Sequence, residues 1–229
     1  MGLATAKRFV QEAMDHVFII GRRKDALDRA VSEIGKNVTA VQGDVASLSD
    51  LDRLYDEVRK QNRKIDVIFA NAGIAQLAPF GTVDEKFYDL HFDANVKGLF
   101  FTVQKALPLM NDGGGIVNIS SGLTRTTVPR SSVYASMKSA VETFTRYLAK
   151  ELGSRSIRAN VVAPGAIMTD FGGGHLRNDQ ELQKFISGIT ALGRPGVAED
   201  IGGVVAFLCT EDARWVNGQR IEASGGMNV

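Results

Sequence analysis

The 229-residue sequence has little of several things, and each scarcity excludes a class of protein. A single cysteine, Cys209, leaves no partner for an intramolecular disulfide, which suits a reducing compartment. Its place in the apolar run VVAFLC reads as a core thiol rather than a nucleophile. Charge of either sign is not in excess: 27 Lys and Arg stand against 26 Asp and Glu, a net +1. That balance gives no electrostatic reason to expect nucleic acid or an anionic membrane as partner. No stretch approaches the roughly 20 apolar residues of a membrane span. The opening MGLATAKRFV has neither the apolar core nor the cleavage site of a signal peptide. The three histidines, His16, His91 and His175, have no sequence neighbours that suggest a metal site. Repeats, low-complexity tracts and interdomain linkers are also missing. The expectation is a cytoplasmic protein, residues 1–229 forming one domain large enough to bury a sizeable core.

Short apolar runs recur along the chain: Val17–Ile20, Val38–Val41, Asp66–Ala70, Gly115–Ile119, Ile157–Val162 and Gln219–Ala223. Their length and their Gly, Asn or Asp boundaries suit buried parallel strands. Helical spacing fills the intervals. Ala26, Leu27, Ala30, Val31 and Ile34 make one stripe; Leu48, Leu51, Leu54, Tyr55 and Val58 make another, with Ser47 as N-cap. Phe92–Met110 and Ser132–Leu152 read as two long helices, apolar on most sides. Alternating strands and helices predict an α/β, Rossmann-like, doubly wound parallel sheet flanked by helices on both faces.

Ligands of such sheets bind beyond the carboxyl ends of the strands. The residues there are Gly21-Arg22-Arg23, Asp44-Val45, Asn71-Ala72-Gly73, Ser120-Ser121 and Pro164-Gly165. Each alone suits an ordinary turn; five together point to a site.

Tyr134 and Lys138 stand four apart in a predicted helix, on one face. By itself this spacing also suits a surface pair. A nearby ammonium favours the phenolate and would draw a tyrosine from its usual value of about 10 toward useful acid–base chemistry. Ser121 lies 13 residues upstream at a strand end, and Asn71-Ala72-Gly73 follows an earlier strand. With these motifs the sequence resembles the short-chain dehydrogenase/reductase family along nearly its whole length.

The resemblance implies an NAD(P)(H)-dependent oxidoreductase interconverting a carbonyl and a secondary alcohol. It implies that Tyr134 donates or accepts the proton, Lys138 lowers the tyrosine pKa and contacts the nicotinamide ribose, Ser121 bonds the substrate oxygen, and Asn95 holds a water of the relay. Ser120 is the second choice for the serine. For the cofactor it implies Gly2 as the last glycine of the phosphate turn, Asp44 and Val45 around the adenine, Asn71, Ala72 and Gly73 beside the ribose, and Pro164, Gly165, Ile167 and Thr169 at the carboxamide. No carboxylate follows the strand VFII; Arg22 and Arg23 do, and a guanidinium suits a 2′-phosphate. NADP(H) is therefore expected over NAD(H), which stays possible. A homotetramer or homodimer is also implied, with Phe92–Met110, Ser132–Leu152 and the C-terminal WVNGQRIEASGGMNV as candidate interfaces.

One part of the family pattern is missing. The first, central strand and most of a T-G-x-x-x-G-x-G phosphate turn have no counterpart before Gly2. Either Met1 is an internal methionine of a longer protein, or the strand at 17–20 slides to pair with the one at 66–70, or a partner chain fills the slot. A cofactor-free, inactive structural or binding subunit is the alternative reading. Downstream, Gly172-Gly173-Gly174 suggests a mobile lid over the substrate, with Phe171, His175, Leu176 and Phe185 as candidate lining.

Overall fold

The computed structural model describes residues 1–12 and 14–228. Its elements run α1 (Gly2–Gln11), β1 (Val17–Gly21), α2 (Lys24–Ile34), β2 (Val38–Gln42), α3 (Leu48–Lys60), β3 (Ile65–Ala70), α4 (Glu85–Phe92), α5 (Gly98–Ala106), β4 (Met110–Ile119), α6 (Ser132–Glu151), β5 (Arg158–Pro164), α7 (His175–Asn178), α8 (Gln180–Gly188), α9 (Ala198–Leu208) and β6 (Arg220–Ala223). Every apolar run read as a strand is one, and all strand pairs are parallel. The strand alternation sorts side chains to two faces. Ile68, Ile116 and Ala159 pack with α3, α5 and α6. Val67, Val117, Ile119 and Val162 pack with α1 and α9. Ser47 caps α3 as expected, its hydroxyl accepting the Asp50 amide.

The sheet is in two pieces. β1 pairs only with β2, while β3-β4-β5-β6 form a separate four-stranded sheet. The expectation that the strand at 17–20 slides across to pair with the one at 66–70 is therefore wrong. Both faces of β1 are already engaged: Val17 and Ile19 pack in the α1–α9 layer, Phe18 and Ile20 in the α3 layer. Crossing the gap would strip those contacts. Between β1 and β3 lies a cavity of about 720 Å³, walled by residues 17–20 on one side and 65–70 on the other. His16 and Arg63, just ahead of the two strands, are close enough for the Arg63 charge to help depress the His16 pKa, after burial. β1 and β3 thus start at the same end.

Two strands joined to the rest by packing and a few side-chain hydrogen bonds, with no strand ladder to β3, should open more readily than a four-stranded ladder. Amides of residues 17–21 and 38–42 are expected to exchange at least tenfold faster than those of 115–119 and 158–164. Native-state hydrogen exchange checks this; equal protection would mean that the two sheets unfold as one unit.

The segment Phe92–Met110 departs from the single helix expected. Helix begins earlier, at Glu85, passes through a π-helical turn at Asp93–Lys97 and ends at Ala106; Met110 opens β4. The cause is local. The Asn95 side-chain amide donates to the His91 carbonyl at 3.0 Å, satisfying an acceptor the regular i−4 ladder would use.

Candidate active site

The carboxyl ends of the strands carry the candidate residues, and α6 brings its pair to them. Tyr134 and Lys138 face inward from one side of α6, both buried. The Lys138 ammonium lies 5.7 Å from the centre of the Tyr134 ring. Its Nζ donates to the Ile119 carbonyl at 3.0 Å, leaving two further protons free to donate. Asn95 is fully buried above them: its Oδ1 accepts the Ile74 amide at 3.2 Å, and its Nδ2 donates to the Ile74 carbonyl at 3.1 Å. A Cβ on Gly73 would sit 2.6 Å from Asn95 Oδ1 and 3.4 Å from Lys138 Nζ. Only glycine leaves that corner open.

The two serines separate cleanly. Ser120 Oγ is buried and donates to Glu142 Oε1 at 2.6 Å. Ser121 is half-buried, accepts the Leu123 amide at 3.2 Å, and its hydroxyl interacts with the Tyr134 phenol. Ser121, rather than Ser120, is the serine brought to the tyrosine.

Electrostatics depart from the simple expectation that lysine lowers tyrosine. Burial pushes the Tyr134 phenol up to about 12, with Ser121 acting in the opposite direction. Burial also pulls Lys138 down to about 8. Desolvation penalises the charged form of both groups and sets the direction of both shifts. A phenol at that value keeps its proton at neutral pH.

The other predicted residues line the same edge. Arg22 is exposed beyond β1, its Nη1 3.8 Å from Asp44 Oδ2. Arg23 is also exposed and precedes α2. Asp44 Oδ1 accepts the Ala46 amide at 3.0 Å, and Val45 is buried, its carbonyl closing on Gly98. Asn71 follows β3 with its Oδ1 buried and without a hydrogen-bond partner among the described residues. Ala72 is exposed beside it. Gly2 stands at the start of α1, where a Cβ would meet Asn71 Nδ2 at 3.0 Å. Pro164 ends β5; a Cβ on Gly165 would strike Ser224 at 2.8 Å, so the glycine is required. Ile167 bridges to Gly196, and Thr169 Oγ1 accepts the Phe171 amide at 3.3 Å. The start of α1 offers unpaired amides suited to a phosphate, and together with Arg22, Asn71 and Lys138 these residues fit a dinucleotide.

The three glycines at 172–174 all adopt positive φ, at 64°, 84° and 73°. Their role is a left-handed turn that returns the chain to α7 and α8, a shape other residues adopt with strain. It leaves the Phe171 ring 6.0 Å from the Tyr134 ring. Phe185 is exposed.

Sequence reading missed three residues. His91, fully buried, accepts the Gln76 amide at 3.1 Å and so holds the chain beyond Gly73. Glu142 and Arg220 meet behind Ser121 at 2.8 Å. Their 78-residue separation gave no local signal. No cluster of three or more metal-ligating side chains occurs among the described residues. Nor does any described helix have the length and apolarity to cross a membrane.

Comparison with known proteins agrees along the whole chain. A family model described as enoyl-(acyl carrier protein) reductase matches residues 1–228. An oxidoreductase, asL5, of Sarocladium schorii is 38% identical over 229 residues, spanning 99% of this chain and 91% of that protein. A short chain dehydrogenase, mdpC, of Emericella nidulans is 33% identical over 212 residues, 88% of this chain and 80% of that one. Among solved structures, the angucycline C-6 ketoreductase LanV with bound NADP superposes with a TM-score of 0.90 at 32% identity, covering 99% of this chain and 91% of its own.

Proposed function

The chain belongs to the short-chain dehydrogenase/reductase family, and from that premise we propose that it interconverts a ketone and a secondary alcohol with a nicotinamide dinucleotide. When bound, the nicotinamide supplies or accepts the hydride. The rest of the chemistry falls to the chain. Tyr134 gives its phenolic proton to the carbonyl oxygen in reduction and takes it back in oxidation. Ser121 donates a hydrogen bond to the same oxygen, where negative charge develops. Lys138 holds a ribose hydroxyl with its free protons and replenishes the tyrosine proton. Asn95 fixes the turn at Ile74 and thereby the wall opposite Lys138. One observation carries this reading: Ser121, Tyr134 and Lys138 come together at the end of β4, with the lysine buried and bonded, among the described residues, to the Ile119 carbonyl alone.

The preferred cofactor in this reading is NADP(H). Arg22, its Nη1 3.8 Å from Asp44 Oδ2, and Arg23 are both exposed at the end of β1, a strand that carries no carboxylate of its own. A ketoreductase with bound NADP among the similar structures is in keeping with it. The aromatic edge of Phe171 next to Tyr134 suits a flat or apolar ketone. Helices α5 and α6, with Phe100 and Tyr147 outward, are the proposed contacts of a homodimer or homotetramer.

Calorimetric titration with NADPH and with NADH tests the cofactor assignment. NADPH is expected to bind about tenfold more tightly, a modest margin because Arg22 is solvent-exposed, and Arg22→Met should erase most of it. A stronger affinity for NADH would overturn the NADP(H) preference. No binding to either, together with no turnover, would favour the alternative of a cofactor-free structural subunit. The split sheet beside Gly2 is what keeps that alternative in play.

A further inference from the structure

Behind the Ser121 turn lies a cluster of charges that the reaction does not directly use. Arg220 on β6 donates from Nε to Glu142 Oε1 on α6 at 2.8 Å, and from Nη1 to Glu222 Oε2 at 2.7 Å. Glu142 Oε1 also accepts from Ser120 Oγ at 2.6 Å and Thr124 Oγ1 at 2.7 Å. Arg220 Nη2 reaches the Ser121 carbonyl at 3.3 Å and Thr124 Oγ1 at 3.1 Å. The side chains of Arg220 and Glu142 keep only 11% and 15% of their exposure, so solvent screens the pair weakly. Further out, Arg125 approaches Glu222 at 3.5 Å.

The arrangement is asymmetric in a telling way. One carboxylate oxygen and one guanidinium hold both flanks of Ser121, at Ser120 and at Thr124, yet neither touches the Ser121 hydroxyl. Burial raises the Glu142 carboxyl, but the bonds from Ser120, Thr124 and Arg220 outweigh it and hold it below its ordinary value. The pair therefore stays ionised at working pH. Charged hydrogen bonds are stronger and more directional than neutral ones, and a turn fixed from behind is how a short hydroxyl is kept in register with its partner.

We propose that Glu142 and Arg220 are positioning residues that fix the Ser120–Thr124 turn from behind and so set where the Ser121 hydroxyl stands relative to Tyr134. The inference rests on the reductase reading for its readout. Loss of the pair lets the Ser121 turn drift, which weakens contact to the charge on the reacting oxygen more than it weakens ground-state binding.

A double-mutant cycle tests it. Glu142→Gln should lower kcat about tenfold to a hundredfold and change the KM for cofactor less than twofold. In a Ser121→Ala background the same substitution should cost less than threefold, because the group it positions is gone. Glu142→Asp, retaining the charge, should recover part of the loss. Equal losses in both backgrounds would overturn the proposal, as would full kcat in Glu142→Gln. Melting temperature and NADPH affinity separate misfolding from misplacement; should Glu142→Gln not fold, Arg220→Lys is read through the same cycle. Failure of the reductase reading shows differently: the unaltered chain would then have no Tyr134-dependent turnover against which to run the cycle.

Discussion

Tyr134→Phe is expected to lower turnover about a thousandfold, within the range for losing a positioned general acid, while leaving the fold intact. The change removes one oxygen from a ring held in place by burial, so packing survives. The hydroxyl it deletes interacts with Ser121, and no other side-chain hydrogen bond to it is present among the described residues. Cofactor affinity should shift by less than threefold. Steady-state kinetics with a ketone and NADPH, beside circular dichroism and a thermal melt, check both halves. Retention of more than a tenth of the turnover would remove Tyr134 from the mechanism. Collapse of the melt would instead make the tyrosine structural.

Lys138→Met has the second large effect, and it shows in stability as well as rate. Burial holds Lys138 at about 8 in the folded chain, against an ordinary value of 10.5. Below about pH 8 the lysine is protonated whether folded or unfolded, so the burial penalty is present in full. Between about 8 and 10.5 the unfolded chain binds the extra proton. Stability then rises with pH, and above that window the penalty is gone. The size is on the order of 3 kcal/mol, from roughly 1.4 kcal/mol per pH unit. Relative to Lys138→Met, the unaltered chain should therefore gain stability between pH 7 and pH 10.5, read as a rising urea midpoint. A flat difference across that range would mean that Lys138 is not desolvated. In the same variant kcat/KM should fall at least a hundredfold near pH 7. The alkaline inflection near pH 8, where the ammonium loses its proton, should disappear from the rate profile.

Much of the architecture was legible because strand and helix periods are local properties. The runs from Val17 to Ile221 showed as strands, and Ser47 showed as a cap, because each depends on residues within a few positions. The Tyr134–Lys138 pair was legible for the same reason: four residues on a helix is one face. Asn95 was assigned only through family resemblance, and its π turn was not anticipated, since that turn depends on which carbonyl a side chain reaches. The triple glycine at 172–174 was read as a flexible lid, and the left-handed conformation that all three adopt was not anticipated. His91, Glu142 and Arg220 escaped because the contacts that tie them to the site, His91 to Gln76 and Glu142 to Arg220, span 15 and 78 residues.

The sequence by itself determined the class of fold and which turns follow the strands at the carboxyl edge, while the roles proposed for the residues there rest on the family resemblance. Apolar period, turn chemistry and helix-face spacing act over a few residues and need no knowledge of the rest of the chain. Tertiary structure decided that β1 and β3 stay apart rather than pair, that Glu142 and Arg220 meet behind Ser121, and that Tyr134 and Lys138 are displaced in opposite directions from their ordinary pKa values. Those outcomes depend on packing and desolvation, which are set by what surrounds a group in space and not by what adjoins it along the chain.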